Sequence, residues 1–201
     1  MYSDTKMNGL MDKHPKLFKE KDLSPQQTCM CWGITCEDVW YEIVDALCAS
    51  IQGHIDHERE CVPIRKENSS LKHVFMVFPK MIRGRWRRWR GKQNWTIPSF
   101  NTFKIELRGW WRNRKLQPPQ QVVIGQMKEK FGLLRVYTNG HDKYVSGLIS
   151  MAESMSARTC EQCGNPGTKL NDYGWIRTLC ISCREETEKA RKERAEARKK
   201  N

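Results

Sequence analysis

Two cysteine pairs carry the clearest chemistry in this sequence: Cys160-Glu-Gln-Cys163 and Cys180-Ile-Ser-Cys183, separated by sixteen residues. Tetrahedral zinc takes four ligands and accepts thiolates readily, and a CxxC turn lets two sulfurs reach one ion. Gly164, Pro166 and Gly167 follow the first pair and are the turn formers a metal knuckle requires. Cys180 leads straight into a helical stretch, so the second pair is expected at a helix N-terminus. A knuckle, a hairpin through Trp175 and Ile176, and then a ligand-bearing helix is the treble-clef order. Thiolates fill all four positions, so the spacing predicts one structural Zn2+ and no open catalytic position. The competing expectation is two redox dithiols, or thiols unrelated to one another.

A second chemistry lies in the basic centre of the chain. Residues 83–92 read RGRWRRWRGK and 108–115 read RGWWRNRK. Between Lys80 and Lys115 twelve Lys or Arg face a single acid, Glu106, a net of +11 within a chain whose total is +13. The tail from Arg184 to Asn201 adds +3, leaving the remainder at −1. Arginine neutralises phosphate, and exposed indoles stack on unpaired bases at roughly 1–3 kcal/mol per base. The candidate nucleic-acid contacts are therefore Arg83, Arg85, Trp86, Arg87, Arg88, Trp89, Arg90, Trp110, Trp111, Arg112 and Arg114. An acidic protein partner would suit the same charge. So would a sheet whose tryptophans fill a core beneath a solvated arginine face.

Smaller groupings weigh less. Cys29, Cys31 and Cys36 cluster in TCMCWGITC, with Cys48 and Cys61 further on and His54 or His57 as a further ligand. A second metal there competes with packed thiols around a tight Trp32-Gly33 turn, and the packed arrangement is the expectation. HIDHE at 54–58 spaces its histidines by three rather than the four of HExxH, and reads as a solvated helix end. No phosphate-binding glycine loop or GxSxG elbow occurs.

The elements that must position these groups follow from pattern. At 38% hydrophobic and 29% charged, 201 residues can bury a core without disulfides. No apolar run approaches the roughly 20 residues that span a bilayer, and no membrane association is expected. Residues 1–18 lack the apolar stretch of a signal peptide, so the nine cysteines are expected to be reduced and the protein cytoplasmic. Trp40, Ile43, Val44, Leu47 and Ile51 recur at helical spacing and predict a helix over Cys36–Gln52. HVFMVF at 73–78 suits a strand ending at Pro79, and Pro118-Pro119 marks a boundary. QVVIGQMKEKFGLLRVY predicts a pair of strands or a helix-strand unit, with Asn139-Gly140 as the turn. Val145, Leu148, Ile149, Ala152 and Met155 predict a second helix from about Asp142 to Ser156. Residues 184–200 read as a charged helix without an apolar stripe.

Several of these strings together resemble a family of uncharacterised phage and bacterial proteins. They are TCMCWGITCEDVWYEIVDALCASIQ (28–52), PQQVVIGQMKEKFGLLRVY, ISMAESMSARTCEQCGNPG and GWIRTLCISC. The resemblance implies a small phage or prophage accessory protein, made in the bacterial cytoplasm and carrying a zinc knuckle. It supplies no activity and no catalytic residue. Residues from about Cys61 to Lys115 are longer than the connection in that family and look like an insertion.

The expectation is an α+β protein with a treble-clef-like zinc knuckle and a basic Trp/Arg-rich insert. Its regions are an N-terminal arm, cysteine cluster and helix (1–60), the insert (61–117), a strand-helix unit (118–158), and the knuckle with its charged helix (159–201). The function expected first is non-enzymatic: DNA or RNA binding, or regulation of host machinery. Next comes an inhibitor of a host enzyme or antiphage defence system, docking on an acidic host protein. A nuclease or other enzyme using the histidines and the first cysteine cluster comes third.

Overall fold

The computed structural model describes residues 6–7, 9–68, 105, 107–109, 111–113, 115–172 and 174–200. It is α+β, with helices and two small antiparallel sheets. The chain divides into two units, Met1–His54 with Gln120–Asn201, and Ile55–Pro119. Among the described residues no helix is long and apolar enough to cross a membrane.

In the first unit a short helix α1 (Gly9–Lys13) and two 3-10 turns (Met30–Trp32 and Asp38–Trp40) precede the long helix α2 (Tyr41–Asn68). Strands β1 (Val123–Glu129) and β2 (Leu134–Asn139) form a hairpin, followed by α3 (Lys143–Ser156). A second hairpin, β3 (Thr168–Asp172) with β4 (Trp175–Leu179), leads into α4 (Ile181–Lys200). Met7, Leu10, Leu17, Phe18, Trp40, Val44, Ile51, Ile124, Met127 and Leu134 are buried to 1% exposure or less, so the N-terminal arm belongs to the core. The arm reaches β1 through its backbone. The Ile124 N–H donates to the Leu17 carbonyl at 2.8 Å, and Thr35 exchanges hydrogen bonds with Met127 and Glu129. These bonds satisfy an edge of β1 that would otherwise be open to another chain.

Helix α2 differs from its expected limits at both ends. It starts at Tyr41 because Glu37 is extended (ψ 147°) and a 3-10 turn intervenes. It continues past Gln52 to Asn68, since Gly53 and Pro63 are both accommodated within it. The histidines of HIDHE therefore sit inside the helix and not at a solvated end. Helix α3 matches its expected span. The Asp142 carboxylate caps it by accepting the Val145 N–H at 2.9 Å. Val145, Ile149 and Ala152 are buried as the periodicity requires, while Leu148 is half-buried and Met155 is exposed. His54 Nε2 lies 2.8 Å from the other Asp142 oxygen, and its ring stacks on Tyr144 at 4.3 Å, tying the start of α3 to α2.

The first hairpin turns at Phe131-Gly132, with φ of 59° and 71°, and not at Asn139-Gly140. Lys130 and Leu133 exchange both backbone hydrogen bonds across it. Positive φ at both central residues is the pattern of the tight hairpin turn that matches strand twist. Asn139-Gly140 ends β2 and leads toward the α3 cap.

The second unit contains the distal part of α2. There Arg65 grips Glu58 through two hydrogen bonds of 3.0 and 3.1 Å, and Arg59 Nε donates to the Pro119 carbonyl at 3.3 Å. The strand expected at 73–78 lies outside the described residues.

Candidate metal centre

The cysteine knuckle is anchored from the N-terminal side. Trp40 is fully buried, and its indole N–H donates to the Thr159 carbonyl at 3.4 Å. The chain then folds back on itself: the Gly164 N–H donates to the Cys160 carbonyl at 3.0 Å, and the Cys160 N–H to the Asn165 carbonyl at 2.8 Å. Gly164 holds φ +78°, a conformation that side-chain-bearing residues rarely adopt. At Gly167 an added Cβ would stand 3.0 Å from the Cys160 nitrogen and 3.1 Å from the Leu179 carbonyl carbon. Glycine there lets the end of β4 pass close to the knuckle.

The β3–β4 hairpin then returns the chain to its starting point, with Thr168 opposite Leu179. Cys180 immediately precedes α4, and Cys183 lies in its first turn. The sulfurs of Cys160, Cys163, Cys180 and Cys183 all lie within 4.8 Å of one another, with Cys163 and Cys180 at 3.5 Å. Bonds of about 2.3 Å place tetrahedral zinc ligands about 3.8 Å apart, so small side-chain adjustments bring this cluster to one ion. Cys160, Cys180 and Cys183 are buried with Leu179, and Leu170 packs against them. Cys163 is exposed. These four residues can hold a metal ion, as their spacing predicts.

The local field favours thiolate at Cys180 and Cys160 and opposes it at Cys163 and Cys183. The Ser182 hydroxyl, 3.2 Å away, and then the Cys183 N–H, at 3.5 Å, push the Cys180 thiol down to about 6. Burial pushes Cys160 up, but the backbone amides of Cys180, Cys163 and Gln162 bring it below its ordinary value. Cys183 is raised by the neighbouring Cys180 and Cys163 sulfurs, which compete with it for negative charge. A cation placed among the four removes that competition, and the thiolate is the form that binds metal.

Glu161 was not singled out by spacing, yet it holds the knuckle together. Its carboxylate is 9% exposed, pairs with the Arg177 guanidinium and accepts the Thr178 N–H at 3.4 Å. Its own N–H donates to the Thr178 carbonyl at 2.9 Å. An acid inside a CxxC turn gives no sequence signal for this role, because the partner is fixed only once β4 is folded.

The remaining candidates fall elsewhere. Cys36 is half-buried and Cys48 buried, and burial pushes each thiol up to about 12. Cys31 is half-buried with its sulfur 3.2 Å from the Thr28 carbonyl, whereas Cys29 is exposed and not packed. Gly33 turns with φ +77°, and its N–H donates to the Met30 carbonyl at 2.9 Å. Cys61 Sγ lies 3.4 Å from His57 Nε2, one turn away on α2. Among the described residues the four C-terminal cysteines are the one cluster close enough to hold an ion. Of the basic segment, Trp111 and Arg112 are described and exposed, with Lys115 Nζ 6.0 Å from the Trp111 ring centre. Arg83, Arg85, Trp86, Arg87, Arg88, Trp89, Arg90, Trp110 and Arg114 lie outside the described residues. Compared with family models, curated proteins and solved structures, the chain matches none of them.

Proposed function

We propose that this chain is a non-enzymatic, nucleic-acid-binding accessory protein of a phage, working in the bacterial cytoplasm and stabilised by one structural zinc. The observation that carries the zinc is the convergence of four sulfurs within 4.8 Å. Four thiolates complete a tetrahedral shell and leave no position for a reacting water. The nucleic-acid assignment is supported by the net +11 between Lys80 and Lys115, and by the exposure of Trp111 and Arg112 at its end. The phage assignment rests on the sequence blocks that resemble phage proteins.

The test is a salt series of binding to single-stranded and duplex oligonucleotides. Each phosphate contact contributes about −0.7 (single strand) or about −0.9 (duplex) to the slope of log affinity against log salt. Replacing Arg87, Arg88 and Arg90 by Gln flattens that slope by roughly two to three units. Trp89→Ala weakens binding of the single strand while the protein stays folded. A wild-type protein that binds no nucleic acid at low salt contradicts the assignment. The segment is then a docking face for an acidic host protein, as an inhibitor of a host enzyme or defence system would need.

A further inference from the structure

Helix α4 leaves the cysteine cluster and runs 20 residues, Ile181–Lys200, exposed along nearly its whole described length. Its charges look mixed in sequence, but the helix sorts them. At about 100° per residue, Arg184, Arg191, Arg194 and Arg198 fall within an arc of about 80°. All five glutamates lie outside that arc, on the side that also carries Lys189 and Lys192. Arg184, at the edge of the arc, reaches across to Glu188 at 3.1 Å. Ala190, Ala195 and Ala197 flank the arginines, and all three are exposed.

Helix stability alone does not require this sorting. Glu–Lys pairs three or four apart would stabilise α4 equally well on every side. Arg184 is paired, but Arg194 and Arg198 have no glutamate three or four positions away in the sequence, so the far end of this face is the positive one. Arginine's planar fork matches phosphate and the guanine edge, which a lysine point charge does not. Alanine beside the arginines keeps the helix thin on that side, so its backbone can approach a groove floor. Arg184 to Arg198 spans about 21 Å along the axis, and a helix about 10–12 Å across fits a B-form major groove about 12 Å wide. The deep, narrow major groove of A-form RNA does not admit it.

We infer that the arginine face of α4 is a duplex-DNA contact surface, held at a fixed angle by the cysteine cluster at its N-terminus. This rests on the nucleic-acid function proposed above and names duplex DNA as a partner of residues other than 80–115. The chain's overall +13 favours approach to the same polyanion.

The test compares two double variants of the full chain that remove equal charge. One is Arg194→Gln with Arg198→Gln, on the arginine face; the other is Lys189→Gln with Lys192→Gln, opposite. Glutamine keeps helix propensity close to that of either residue, and circular dichroism verifies the helix. Binding to a 20-base-pair DNA duplex is followed by anisotropy across a salt series. The arginine pair should flatten the slope by about 1.8, two contacts at about 0.9 each, while the lysine pair leaves it unchanged. Equal effects from both pairs, or none from either, overturn the inference. If Arg87, Arg88 and Arg90 matter while the α4 arginines do not, the general function stands and the α4 surface falls. If wild-type protein binds no nucleic acid, both fall together.

Discussion

The Thr178 hydroxyl donates to the Gly132 carbonyl at 2.7 Å, joining the tip of the first hairpin to the strand that delivers Cys180. Thr178 is fully buried, and Gly132 adopts φ +71° against it. A Cβ on Gly132 would lie 2.7 Å from the Arg177 carbonyl carbon and 2.8 Å from the Thr178 nitrogen. Gly132→Ala therefore combines a left-handed alanine with a backbone clash, a loss of about 2–4 kcal/mol in denaturant unfolding. Thr178→Val preserves shape but strands the Gly132 carbonyl, and should lose about 1–3 kcal/mol.

Phe131, beside it, occupies φ 59° and is more than half exposed. Asparagine visits that region readily, whereas other L-residues lose about 1–2 kcal/mol. Phe131→Asn gives up the contact of Lys130 Nζ with the ring, 5.2 Å from its centre, worth about 0.5–1 kcal/mol at an exposed site. The net expectation is a protein more stable by up to about 1.5 kcal/mol, read as a rise in melting temperature. A fall would show that the aromatic ring is needed where it stands.

This turn also marks where sequence pattern stops being informative. Asn139-Gly140 carries the usual hairpin signature and Phe131-Gly132 does not, yet the chain turns at the latter because Gly132 must fit against β4. That requirement is tertiary and invisible in local propensity. The knuckle was legible because thiol spacing is itself the geometric constraint. The face of α3 was legible because Val145, Ile149 and Ala152 follow helical period. The length of α2 was not: nothing local says that Gly53 and Pro63 remain inside a helix. The role of Glu161 was hidden for the same reason as Gly132, since both depend on residues 177 and 178.

Glu161 makes a direct stability test of the knuckle. Glu161→Ala removes the partner of Arg177 and an acceptor for the Thr178 N–H. The expected loss is about 1–3 kcal/mol, with tighter dependence of folding on added metal. Unchanged stability in the metal-loaded protein would remove Glu161 from the account.

Acid should loosen the N-terminal arm. Asp45 accepts from His14 at 2.8 Å and Lys13 at 2.7 Å, and these bonds hold its carboxyl below the ordinary 3.8. A depressed folded value means that the contribution is complete above that ordinary value and is lost as pH falls through the folded one. Asp45→Asn should therefore lower stability at neutral pH and flatten the acid limb below about pH 4. A variant whose pH profile parallels the wild type below that pH would contradict this.

The central claim is tested most directly by the metal content of the purified full chain, measured by elemental analysis beside the Cys163→Ser variant. One zinc per wild-type chain is expected, together with a clear loss of zinc and of thermal stability in the variant. Wild-type protein without zinc, or a variant that keeps both its zinc and its melting temperature, would contradict a structural zinc held by Cys160, Cys163, Cys180 and Cys183.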